Sequence, residues 1–83
     1  ALPEPSRVIH SHRHETNKAG QDVSGTKSIS EKGPNGSVVN YNPSRPTNVY
    51  VAFPKVNVQV ELFDPNPGMA LQWAKSGKIQ PVA

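Results

Sequence analysis

Val56-Asn57-Val58-Gln59-Val60-Glu61-Leu62 alternates apolar and polar residues without an error. That period of two is the pattern of a β-strand with one face buried and the other wet. Just upstream, Val49, Val51 and Phe53 alternate with Asn48, Tyr50 and Ala52. The apolar parity is odd in this first run and even in the second. Side chains switch faces at every residue, so one straight strand cannot carry both parities. Pro54-Lys55 therefore marks a tight turn or a bulge, and Pro is barred from a central ladder position in any case. The reading is two strands joined as a hairpin over about 48–63.

A second hairpin is expected over about 26–42. Thr26–Lys32 and Ser37–Tyr41 flank Gly33-Pro34-Asn35-Gly36. Pro presets φ and Asn-Gly tolerates positive φ, which is turn chemistry with a mechanism. Between the hairpins, Asn42-Pro43-Ser44-Arg45-Pro46-Thr47-Asn48 reads as a loop, because its two prolines block both helix and ladder.

Downstream, a short helix is predicted over about 66–76. Asn66 is placed to cap it, Pro67 to occupy its first position, Lys75 its last turn and Gly77 a left-handed stop. Ala70, Trp73 and Ala74 then share a face. A rival pattern runs through Met69, Leu71 and Trp73, which also alternate; Ser76-Gly77 would then turn a hairpin into 78–82. Asp64-Pro65 most simply closes the preceding strand. The fold class is thus mainly β: a small antiparallel sheet, one short C-terminal helix and an extended N-terminal arm.

The arm follows from composition. Residues 1–37 hold Leu2, Val8, Ile9, Val23 and Ile29 as their large apolar residues, whereas residues 38–83 hold seventeen such residues. Ordering a backbone costs about 1–2 kcal/mol per residue, and five apolar side chains do not offset that. The sequence accordingly divides into a polar arm, 1–37, ordered by a surface it does not supply, and a small β-rich domain, 38–83. Ala1 is what remains when an initiator Met precedes a small residue, which favours a short intact gene product.

The whole chain has 83 residues, of which 34% are hydrophobic, with nine Pro and six Gly. It has no Cys, which excludes a disulfide scaffold and a thiolate zinc site. No apolar run approaches the roughly 18 residues of a membrane span, and no signal-peptide core follows the N-terminus. Virion and cytoplasm both remain open as compartments. The net charge of +3 arises from scattered residues, and no two basic side chains are adjacent. A nucleic-acid binder usually shows a clustered basic stripe with aromatics to stack on, and this chain shows neither.

All three histidines fall in Ile9-His10-Ser11-His12-Arg13-His14-Glu15. If that stretch is extended, His10, His12 and His14 point to one side. Three such imidazoles are candidate ligands for a transition metal and would staple a homo-oligomer. The same stretch has the residue types of a metal-independent ribonuclease of the small bacterial toxin kind. His10, His12, His14 and Glu15 would be its acid and base candidates, and Arg13 the cation for a phosphorane. The plainer expectation is a polar strand, because catalysis needs a preorganised geometry that so weak a half cannot hold.

These readings converge on a non-enzymatic assembly protein, with no catalytic residue and no cofactor. It would fasten onto a larger protein assembly, or onto symmetry-related copies of itself, through its extended arm and β edges. A virion decoration, cement or connector subunit has this character, and so does an accessory subunit of a large complex. Val8, Ile9, Tyr41, Tyr50, Phe63 and Trp73 are the candidate interface residues, the aromatics doubling as core anchors.

Overall fold

A computed structural model describes residues 3–12, 28–44 and 46–81. Five strands form one open antiparallel sheet: β1 (Arg7–His12), β2 (Ile29–Lys32), β3 (Val38–Tyr41), β4 (Asn48–Phe53) and β5 (Val58–Phe63). Their spatial order is β1-β5-β4-β3-β2. One helix, α1 (Met69–Lys75), packs over β4 and β5. The fold is mainly β, with an antiparallel sheet and one short C-terminal helix, as the sequence reading expects.

Register explains the core. Leu62 pairs with Val49 on one side and Val8 on the other; Val49 in turn pairs with Tyr41. The next row runs His10, Val60, Val51, Val39 and Glu31. These rows face α1. Val39, Val49, Val60 and Leu62 are fully buried there, with Ala70 and Ala74 of α1 closing over them. Each such side chain contributes roughly 1.5–3 kcal/mol by leaving water. The small alanines let the helix backbone approach the sheet closely, while Trp73 and Leu71 pack at the margin of the core.

The parity switch between β4 and β5 is made by a 3-10 turn at Pro54–Val56, closed by Asn57 at φ 57. That turn is longer than Pro54-Lys55 alone. Val56, which continues the apolar parity of β5 in the sequence, lies in the turn and is 53% exposed. The β2–β3 turn is built the same way: Pro34–Gly36 forms a 3-10 turn with Asn35 at φ 60 and Gly36 at φ 75.

Two differences at α1 have local causes. The helix starts at Met69, later than Asn66, because Gly68 adopts φ 93 and breaks the helical path. Asn66 still serves the first turn, but through its backbone carbonyl, which accepts from Met69 N at 3.1 Å. At the other end Gly77 takes the left-handed stop expected of it, with φ 84. The hairpin alternative over 66–82 does not form.

Residues 1–37, set apart by composition, supply both edge strands. β1 lies on β5 and β2 lies on β3, so the composition break at 37/38 is not a break in the sheet. Backbone hydrogen bonding to an existing strand orders these segments without demanding many apolar side chains. Asp64 adds a polar tie: its carboxylate accepts from Ser6 N at 3.1 Å and Ser6 Oγ at 3.2 Å, just ahead of β1.

Candidate functional site

The histidine stretch begins on β1. In the register His10 pairs with Val60 and His12 with Val58, and the His10 side chain lies on the α1-bearing side of the sheet. The His10 ring approaches the Gln80 carbonyl at 3.1 Å through Nε2, so that nitrogen acts as the donor. This contact fastens the segment after α1 to an edge strand 70 residues away. The His12 side chain and Arg13, His14 and Glu15 lie outside the described residues. Among the described residues no three His, Asp or Glu side chains gather as a metal-holding group.

The six candidate interface residues divide between the two faces. Tyr41 is a core residue at 7% exposure, and Val8 and Trp73 pack against that core. Lys78 lies over the Trp73 ring, 5.5 Å from its centroid. Ile9, Tyr50 and Phe63 belong to the opposite face. There Ile9 and Tyr50 flank Glu61 in one row, and Arg7 stacks on Phe63 at 5.4 Å. Burial, and then the negative charge of Glu61, push the Tyr50 phenol above its ordinary value of 10.0.

The same outer face holds a polar contact that alternation alone does not reveal. Asn40 is 1% exposed, although it sits on the face away from α1. Its Oδ1 accepts from Ser30 Oγ at 2.7 Å, and its Nδ2 donates to the carbonyls of Val38 and Tyr50 at 3.4 Å. A buried amide needs such partners, and this one ties β2 to β3 and β4.

The two edges differ. On β2, Glu31 is drawn toward α1 by Lys75, whose Nζ lies 2.8 Å from Glu31 Oε1, and the exposed Lys32 ends the strand. The contact with Glu31 raises the Lys75 pKa. A strand of four residues with a charged tip is a blunted edge. On β1 the six residues include Arg7, Ile9, His10 and Ser11, all exposed, with Ile9 at 44%. Among the described residues no further strand pairs with either edge.

At the end of the sheet where both 3-10 turns lie, Asn35, Gly36, Phe53, Lys55, Val56 and Pro81 line a cavity of about 380 Å³. Asn35 Nδ2 donates to the Gly77 carbonyl at 3.4 Å and so links the first turn to the segment after α1. The sequence reading marks both turns but not their convergence, because nothing local says that residues 35, 55 and 81 meet. The one available signal is Val56, an apolar residue with no place in a turn's usual chemistry.

No helix among the described residues is long and apolar enough to cross a membrane. No family model, no curated protein and no solved structure matches the chain.

Proposed function

We propose that the chain is a non-enzymatic assembly subunit that fastens onto a larger protein assembly through an edge of its sheet. The observation that carries this reading is β1: six residues long, with Arg7, Ile9, His10 and Ser11 exposed, and bonded on one side only among the described residues. Its free side offers alternate backbone N–H and C=O groups to an extended segment, which is how β-augmentation gains its affinity. Ile9, Arg7 and Phe63 beside it supply side-chain contacts for register. β2 is too short and too charged to compete. A decoration, cement or connector type of subunit is the class this suits.

Sedimentation tests it. In an extract of its native source the chain should travel with a particle far heavier than its own 9.0 kDa. An Arg7→Glu, Ile9→Lys variant, which changes exposed side chains only, should stay with the light fractions. Degradation of RNA by the purified chain, lost in His12→Ala, would overturn this reading in favour of a nuclease.

A further inference from the structure

The cavity between the two 3-10 turns has the features of a small recognition site. Its apolar wall is Phe53, Val56 and Pro81, and its single charged lining residue is Lys55. Val56 is the most exposed large hydrophobic residue among those described, at 53%, against 44% for Ile9 and 39% for Ile29. A flexible loop could hide such a side chain. This one sits on a turn whose geometry is fixed by Pro54 and by Asn57 at φ 57. The opposite wall is set by Pro34, the positive φ of Asn35 and Gly36, and the Asn35 bond to Gly77. The cavity is therefore preformed, which lowers the ordering cost of filling it.

Charge selects what fills it. Among the described residues no carboxylate pairs with Lys55; the ion pair found there joins Lys75 to Glu31. Among the described residues no acidic side chain lines the cavity, so a cation is disfavoured there and an anion favoured. The volume lies near the lower end of the range of roughly 300–1,000 Å³ common for ligand pockets. Its mouth is open, whereas small molecules are usually enclosed over most of their surface.

We propose that this cavity binds a peptide segment of a partner protein, seating one leucine-sized side chain against Phe53, Val56 and Pro81 with an adjoining carboxylate on Lys55. None of the lining residues lies on β1 or β2, so the site stands apart from edge docking and survives if that reading fails.

The test is an NMR titration of the 83-residue chain with N-acetyl-Gly-Gly-Leu, as the free acid and as the C-terminal amide. The acid should shift the amides of Gly36, Lys55, Val56 and Asn57, and the amide form should bind about two- to five-fold more weakly, as for one exposed ion pair. Lys55→Glu should abolish or reverse that preference, and Val56→Ser should weaken both forms; both positions are exposed, so both variants fold. Absence of shifts at these amides up to about 10 mM peptide, a concentration that detects even millimolar affinity, overturns the proposal. So does equal binding of acid and amide in the unaltered chain. Binding of N-acetyl-leucine as tight as the peptide's would make the ligand a small free acid instead. At least ten-fold tighter binding after removal of Val82 and Ala83 would show that this segment of the chain, and not a partner, is the occupant, and would overturn the proposal.

Discussion

Asp64, one residue past β5, receives both the backbone N–H and the hydroxyl of Ser6, 58 residues earlier, at 3.1 and 3.2 Å. Its other oxygen accepts from Asn66 N at 2.9 Å and holds the turn toward α1. One buried carboxylate thus fixes the start of β1 and the exit from β5 together.

Asp64→Ala should therefore cost about 1–3 kcal/mol, the usual effect of stranding donors bonded to a charged acceptor. Amide exchange should accelerate most over residues 6–12. Ser6→Ala removes only the hydroxyl and should cost about 0.5–1.5 kcal/mol. Urea unfolding with segment-resolved hydrogen exchange reads both. Equal effects from the two variants would mean that Asp64 does not tie β1 down.

Leu62→Ala opens a hole under α1 where exposure is 0%, and a loss of about 2–5 kcal/mol is expected. Val56→Ala, on the exposed turn, should stay within about 0.5 kcal/mol. In a domain this small the first variant is expected to leave little folded protein at 37 °C, as circular dichroism against temperature would record.

The two glycines of the β2–β3 turn should fail for different reasons. A Cβ at Gly33 would fall on Ser37 Oγ and come within 2.8 Å of Val39 Cγ2, both in a packed region. Gly33→Ala should cost about 1–3 kcal/mol through overpacking, partly relieved by adding Ser37→Ala. Gly36 has open space around it but sits at φ 75. Gly36→Ala should cost about 1–2 kcal/mol through backbone strain, and Gly36→Asn less. Thermal melts of the four variants separate the two causes.

Alkali should weaken the fold. Burial and Glu61 raise the Tyr50 pKa above 10.0, and the hydrogen bond to Glu31 raises that of Lys75 above 10.5. Each group holds its proton more tightly when folded. Its contribution is complete below the unfolded pKa and disappears as pH rises through the folded one. Stability should decline above pH 10, and less steeply in Tyr50→Phe. In an ultraviolet titration, the phenolate signal lost in that variant should have its midpoint above 10.0.

What the sequence made legible was what is local. The parity change between Phe53 and Val58 required a turn, and Gly33-Pro34-Asn35-Gly36 named its own. Gly77 announced the end of α1. The N-terminus of α1 was misplaced because Gly68, at φ 93, interrupts a stretch in which Asn66 and Pro67 satisfy every capping preference. The larger gap concerns partners distant in sequence. β1 pairs with β5 through backbone atoms, which carry no side-chain signature, so low apolar content concealed a strand. The Ser6–Asp64 tie and the His10–Gln80 contact depend on that arrangement, and these, like the cavity at Lys55, join residues that no sequence pattern relates.

The placing of β1 and β5 side by side has a consequence for how the chain is made. β1 leaves the ribosome first, and its neighbour is complete only about fifty residues later. At roughly 5–20 residues per second, that is an interval of several seconds. Through all of it the segment Arg7–His12 lacks β5, the strand that pairs with it among the described residues. Any extended chain it meets in that time, including a nascent sister, competes with β5. The sheet is finished by its oldest segment, and fidelity of assembly rests on β5 arriving before a stranger does.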